Sequence, residues 1–527
     1  MCCWSRWPAE RRSLPPTSGA HQRSLPDLRL AASWLTAMLR PLRTPSASCW
    51  PPASIALRRA AMPRASVGRR RPTGCWRCST AFERRKACGM RDLILLAVVG
   101  WCFLQAFRRP WIGIMCWTWL SIMNPHQLSW TLRTMPFAAA IAGSTLLGLL
   151  LTKDRRDFSL SRESITLMLF MAWFCITLPF SMIWDGSFEL FKRVMKIDLM
   201  VLVTIVLLHS KRHLMLFVWI NVISIGFYGV KGGVFTVLTG GNYKVWGPDD
   251  TYINGNNEVA LAIVMVIPLM RFLQMQMQAK WAKTAMTFCM VMMAASALGS
   301  HSRGALLAIA AMALVLWWRG KSKFASAVVM VVVGAALLSL MPAEWWERMN
   351  TIKSYQQDDS AMGRINAWWM AWNLAKSNFF GGGFYIWTGT IFAMYGPDPN
   401  DVHAAHSIYF MVLGEQGFVG LFIFLTLFLF AWRSAGFLRV QGRKQPESQW
   451  LSDLGSMVQV GFVGYAVGGA FLSLSYWDLP YNMMVMAVVG RRWLERKEWL
   501  KEAPEPLVVL PAFMQRWFKP RKALPQR

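Results

Sequence analysis

From Met90 onward the chain alternates between apolar runs and short polar breaks, and this alternation constrains its fold more than any other feature. The runs fall near 92–107, 111–125, 136–152, 164–184, 194–209, 212–229, 257–276, 283–300, 303–318, 324–341, 406–432, 454–475 and 479–490. Most approach the roughly 20 residues a helix needs to cross a bilayer. The first two and the last are short, fit for half-spans or tilted pairs. Over the whole chain 54% of residues are apolar and 16% charged, against roughly 25% charged in a soluble average. A soluble fold of this length would lack the polar surface to cover itself, and a disordered chain would hold far fewer apolar residues. The expectation is an all-α, polytopic helical membrane protein with no soluble domain of ordinary size left over.

The formal net charge is +30. Such an excess suggests nucleic acid, but no basic stripe interleaves with a soluble core here. The basic residues cluster instead in breaks between apolar runs, at 153–156, 211–213, 271–283, 319–323, 433–444 and 491–497. Cytoplasmic loops of membrane proteins carry this bias. The breaks 230–256, 300–303 and 342–405 then face the other side, and the C-terminus is cytoplasmic. Thirteen crossings would put Met90 outside and twelve would put it inside. The short pair 92–125, hinged at Arg108-Arg109-Pro110, leaves that parity open.

Residues 1–89 stand apart. They carry 17 Lys and Arg against Glu10, Asp27 and Glu83, with no helical or strand period and no apolar run of signal-peptide length. Cys75-Trp-Arg-Cys78 has no second pair at zinc spacing. The segment reads as a non-native or disordered extension, with Met90-Arg-Asp-Leu-Ile-Leu-Leu the more natural start; the rival reading is a basic arm or transit peptide. Three regions follow: the extension 1–89, a membrane domain 90–497 containing the loop 342–405, and a basic cytoplasmic tail 498–527.

Four patterns lie on the extracytoplasmic side. Ser300-His-Ser-Arg303-Gly sets an arginine at the mouth of a span, and Ser360-Ala-Met-Gly363-Arg364 sets a second at the start of a loop helix. That helix, through Asn373, has the look of an amphipathic surface element. Asn378-Phe-Phe-Gly381-Gly-Gly-Phe384 reads as a flexible turn. His403-Ala-Ala-His406-Ser-Ile-Tyr, followed by Gly414-Glu415-Gln-Gly417-Phe-Val-Gly420, puts a histidine at the outer end of the run 406–432.

In this order and on this side, the four patterns resemble the lipopolysaccharide O-antigen ligases of the O-antigen ligase and polymerase superfamily. Tyr228-Gly-Val-Lys231-Gly-Gly, Gly241-Asn-Tyr and Asn256-Asn-Glu258 are similar to its exosortase-associated O-glycosylation ligase branch. The resemblance covers about 92–490. It implies a GT-C-like fold of about twelve transmembrane helices with both ends cytoplasmic, a large periplasmic loop containing short helices, and a place in a Gram-negative inner membrane. It further implies a metal-independent, inverting transfer without cofactor, from undecaprenyl-diphosphate-linked O-antigen to lipid A–core. An O-antigen polymerase or an O-linked protein glycosylation ligase would share donor and motifs and differ in acceptor. A flippase or other transporter would show internal repeats and midplane ionisable groups, and no repeat is visible.

The residues suit that chemistry. A diphosphate leaving group needs charge neutralisation more than a proton, and planar guanidiniums supply it; Arg303 and Arg364 are the candidates. An attacking hydroxyl benefits from a base that titrates near neutrality, the ordinary range of histidine; His406 is the candidate. Lys192, Arg193 and Lys196 form a basic mouth that could also hold donor phosphate. His403, Glu415, Lys231 and Asn256 are secondary candidates, Glu415 as a structural hydrogen-bonding group. Each has a plain rival: span-end arginines snorkel to lipid headgroups, and His406 could cap its helix. A zinc site at His403 and His406 lacks a further His or Cys at ligand spacing. Asp249-Asp250 and Asp358-Asp359 could hold a divalent cation or be solvated loop carboxylates. Trp345, Trp346, Trp368, Trp369 and Trp372 read as interface anchors.

Overall fold

The computed structural model describes residues 89–129, 131–152, 160–320, 322–339, 341–350 and 359–501. The extension before residue 89, Asp358 and the tail beyond 501 lie outside the described residues. Sixteen α-helices make up the regular structure described, apart from single 3-10 turns. They are α1 (Met90–Ala106), α2 (Pro110–Met123), α3 (Phe137–Leu151), α4 (Arg162–Thr177), α5 (Trp184–Leu207), α6 (Lys211–Leu238), α7 (Asn256–Gln276) and α8 (Lys280–Gly299). The series continues with α9 (Arg303–Arg319), α10 (Lys323–Leu338), α11 (Ala343–Asn350), α12 (Asp359–Ser377), α13 (Gly389–Tyr395), α14 (Ile408–Gln441), α15 (Gln449–Gly469) and α16 (Asp478–Glu495). Five stretches, Arg162–Phe180, Lys211–Leu238, Asn256–Gln276, Lys280–Gly299 and Ile408–Lys444, are long and apolar enough to cross a membrane. Pro110–Met123, Phe137–Leu151 and Lys323–Leu338 are shorter and equally apolar in character.

Every apolar run of the sequence falls on a helix, but several helices outreach their runs, among them α5, α6 and α14. Helix α5 begins at Trp184, ten residues ahead of its run, because its outer turns carry Asp185, Glu189, Lys192, Arg193 and Lys196. Helix α6 continues to Leu238, so Lys231-Gly-Gly is helix rather than loop. A Cβ on Gly233 would sit 1.9 Å from the Met292 carbonyl oxygen, and one on Gly232 would sit 2.3 Å from Ser296 Oγ. Gly233 is therefore where α6 meets the α8 backbone, and Gly232 seats the Ser296 side chain, as small residues permit in membrane helices.

Helix starts follow local chemistry. Ser161, Ser210 and Ser302 each accept a hydrogen bond from a backbone N–H three residues on, capping α4, α6 and α9. Such caps satisfy donors that would otherwise be orphaned. Of the five long apolar stretches α7 is the most enclosed, with Val259 through Val266 fully buried, and α6, α8, α9 and α15 pack around it. The interior is not wholly apolar: Ser121 donates to Asp478 (2.7 Å), Asn482 to Asn221 (3.0 Å), and Asp198 is buried on α5.

The short first pair is a true antiparallel hairpin. Thr131, in the connection after α2, donates to Asp92 at the start of α1. At the hinge, Arg108 and Arg109 share a cavity with Arg212 at the start of α6. The long connection between α10 and α14 contains α11, α12 and α13. Helix α12 is not a loose surface element, since Gly363, Asn366, Ala367, Met370, Ala371 and Leu374 are buried where it packs on α14.

The glycine turn 378–384 is fitted rather than flexible. Helix α14 breaks at Gly417 (φ 67°, ψ −173°), a conformation essentially confined to glycine. The turn fills the break: the N–H groups of Gly382 and Gly383 donate to the carbonyls of Gly414 (2.9 Å) and Glu415 (3.0 Å). Trp173 Nε1 donates to the Gln416 carbonyl (2.9 Å), and Thr177 donates to the Gln416 side chain (2.7 Å). Two of the five tryptophans are also not anchors. Trp345 is buried and donates to the Leu298 carbonyl (3.0 Å), while Trp368 donates to the Ala405 carbonyl (2.7 Å) and stacks on Phe410.

Candidate active site

The motif Ser300-His-Ser-Arg303 builds a tight reversal between two helices. Ser300 Oγ donates to the Ala297 carbonyl (2.6 Å) at the end of α8, and Ser302 Oγ caps α9. Between them His301 takes a left-handed backbone (φ 57°) and pairs through Nε2 with the Gly241 carbonyl (2.9 Å). Asn256 Nδ2 donates to the Ser300 carbonyl (2.7 Å), tying the start of α7 to the same turn. Arg303 thereby becomes the first residue of α9, at the mouth of the bundle.

Arg364 meets it there. Arg303 and Arg364 line one narrow cleft with Asn257, Ser302, Gly304, Phe471 and Leu472. Four separate parts of the chain supply this wall: the starts of α7, α9 and α12, and the connection between α15 and α16. Glu258, at the third position of α7, folds back over Gly255, whose Cβ would sit 1.9 Å from a Glu258 carboxylate oxygen. The charge of Arg364 reaches this carboxyl.

His406 lies within electrostatic reach of Arg364. The approach to it is clamped by Asn366 of α12, which donates to the carbonyls of Asp398 and Asp401 (2.8 Å each) and accepts from the Asp398 N–H (2.9 Å). The His406 N–H donates to Ser473 Oγ (2.9 Å), and Ser475 Oγ donates to the Ile408 carbonyl (3.0 Å). The ring is half-buried, and its Nδ1 has no hydrogen-bond partner among the described residues. Burial first, then the charges of Arg364 and His403, push its pKa down to about 4, so the imidazole is neutral at pH 7. Its backbone is left-handed (φ 40°). Non-glycine residues adopt such φ values uncommonly, and strain of this kind concentrates at functional sites; here His301 and His406 carry it within three residues of a cleft arginine or within electrostatic reach of one.

The other candidates occupy different places. His403 packs under Gly363, and its Nδ1 lies 2.7 Å from an Asp401 carboxylate oxygen without forming a hydrogen bond; it does not line the cleft. Glu415 is fully buried and accepts from Trp387 Nε1 (3.0 Å) at the α14 break. Lys231 is exposed in mid-helix, and the Asn256 amide is taken by Ser300. Arg193 lies over the Tyr252 ring (6.0 Å), in the connection that leads to Asn257. Lys192 pairs with Glu189 (2.6 Å), and Lys196 is exposed. Among the described residues no contact joins Arg193 or Lys196 to the cleft. Asp249 and Asp250 are exposed and face Arg133 at 3.5 and 3.8 Å, as ordinary surface ion pairs do. Sequence reasoning missed Ser473, Phe471 and Leu472, because the connection 470–477 carries no titratable group until Tyr476 and nothing in its spacing links it to residue 406.

Residues 90–278 match a family of unknown function (DUF5935). Residues 288–425 match a family described as O-Antigen ligase. No curated protein matches the chain at a significant level. The second segment runs from within α8 to the middle of α14 and includes Arg303, Arg364, His403, His406 and Glu415. Over that segment, which holds both cleft arginines and His406, the chain is similar to the O-antigen ligase family.

Proposed function

We propose that the chain transfers O-antigen from undecaprenyl diphosphate to lipid A–core oligosaccharide at the periplasmic face of a Gram-negative inner membrane. The observation that carries this reading is the cleft shared by Arg303 and Arg364 with neutral His406 within electrostatic reach of Arg364, inside the segment similar to O-antigen ligases. In the reaction, an acceptor hydroxyl oxygen attacks the anomeric carbon from the face opposite the diphosphate, and the configuration inverts. The bond from that carbon to the diphosphate oxygen breaks with its electron pair on the oxygen. His406 takes the hydroxyl proton, and the two guanidiniums hold the charge that develops on the phosphates. Arginine forks suit this because they grip phosphate oxygens in pairs. No group of three or more His, Cys, Asp or Glu able to hold a metal gathers among the described residues, and we assign charge neutralisation to the arginines. Arg193 and Lys196 extend the basic surface along which the carrier approaches.

In this reading α1–α10 and α14–α16 all cross, thirteen helices, one more than the resemblance implies. The Asp92–Thr131 contact and the shared cavity of Arg108, Arg109 and Arg212 support that count, since they give α1 and α2 opposite directions. Met90 then lies on the side of the cleft.

A strain lacking the gene, complemented with variants, tests the reading. The deletion should accumulate unlinked, carrier-bound polymer; lipopolysaccharide capped with a single unit would mark a polymerase, and unglycosylated protein a protein ligase. Arg303→Ala and Arg364→Ala should each weaken donor use by the value of a charge-assisted contact, about 1.5–3 kcal/mol, with lysine restoring part. Purified protein should keep its activity in EDTA. Activity that vanished with EDTA and returned with Mg²⁺ would remove the arginines from their assigned role.

A further inference from the structure

A second basic cavity lies at the far end of the bundle, and the transfer reaction makes no use of it. Helix α6 has 28 residues, so its first turn is roughly 40 Å from the connection that leads to the cleft. There Arg108 and Arg109 from the α1–α2 hinge and Arg212 from the start of α6 line a cavity of about 500 Å³ with Trp101, Gln105, Trp111 and Ile112. All three arginines are exposed. Among the described residues, no carboxylate pairs with any of them. Three guanidiniums around one cavity repel one another unless an anion is held between them. Trp111 is fixed in place by stacking on His213, with ring centroids 4.5 Å apart.

The walls show what kind of anion fits. A small inorganic anion would need only the charges, yet two indoles and an isoleucine form the rest of the lining. The outer face of α1 beside the cavity is apolar and exposed, with Trp101 at 56% and Leu104 at 67%. The cavity therefore borders the acyl region on one side and the basic end of the bundle on the other. Basic pockets between membrane helices hold lipid headgroups in this way, and tryptophans settle at the headgroup level.

We propose that this cavity binds the phosphate of an anionic phospholipid, with Arg108, Arg109 and Arg212 on the phosphate oxygens and Trp101 and Trp111 against the glycerol and upper acyl chain. The site would brace the α1–α2 hairpin against α6 through a lipid. The full chain should be tested in vesicles of phosphatidylcholine with and without phosphatidylglycerol, reading the melting temperature and the lipid retained in native mass spectrometry. Inorganic phosphate serves as the second probe. Wild-type protein should retain phosphatidylglycerol and melt higher with it, while phosphate alone should do little. Arg108→Gln/Arg109→Gln/Arg212→Gln should lose at least about tenfold in apparent affinity, the scale of one charge-assisted contact. A charge-matched variant at the same end, Lys280→Gln/Lys283→Gln/Arg433→Gln, should retain the lipid. If the triple arginine variant folds poorly in phosphatidylcholine, Arg212→Gln alone should show the same loss in smaller degree. Equal loss in both triple variants, an equal shift by free phosphate, or full retention without the arginines would each overturn the proposal.

Discussion

His406 is held in an unusual state by its neighbours. Its pKa of about 4 stands well below the about 6.5 of an exposed histidine. The folded chain favours the neutral ring, so the stability this group contributes is fully present above about pH 6.5 and declines as the pH falls toward 4. A bound diphosphate beside Arg364 would offset the positive charge that depresses the ring and raise its basicity when the acceptor needs it. The pH profile of kcat/KM should therefore show an acid limb near 4, and that of kcat a limb at higher pH; coincident limbs would separate His406 from the diphosphate. His406→Ala should cost roughly 10²–10⁴ in rate at normal membrane levels. His403→Ala should cost far less, because that ring faces the Asp401 carboxylate and does not line the cleft. Equal losses would point to a shared role for the two histidines.

At the scale of the element, two devices hold the cleft. Helix α12 presents Arg364 on one turn and, through Asn366 and Trp368, fixes the segment that ends in His406. The broken helix α14 is completed by the glycine turn, so the lower half of α14 and the loop behind α12 form one packed unit. Gly417→Ala tests this. The new methyl would sit 2.4 Å from the Phe379 carbonyl oxygen, on a backbone that an alanine rarely adopts, and should destabilise by about 1–3 kcal/mol. Gly226→Ala, in α6 with nothing within 4 Å of its Cβ, should be neutral or slightly stabilising by helix propensity. A melting curve in detergent distinguishes them; equal melting of the two variants would mean that the break is not held by the turn.

For the whole molecule, the proposed crossing of thirteen helices predicts sidedness. In a background without native cysteines, a membrane-impermeant maleimide applied to spheroplasts should label Gly89→Cys and Met135→Cys but not Arg109→Cys. Labelling of Arg109→Cys with protection of Gly89→Cys would reverse the first hairpin. The sequence by itself determined the helical class, the apolar runs and the two arginines that line the cleft, because each rests on local pattern: apolar length and short motifs. It misjudged where polar residues continue a helix, as at 184–193 and 231–238, since helix membership there is decided by packing. Only the tertiary structure decided that Arg303 and Arg364 share one cleft, that His403 is turned to Asp401, and that Ser473 holds the His406 backbone. It also decided that the glycine turn mends the α14 break. These are contacts between segments far apart along the chain, and no local periodicity encodes which distant backbone group will satisfy an unpaired carbonyl or which side chain will neutralise a charge.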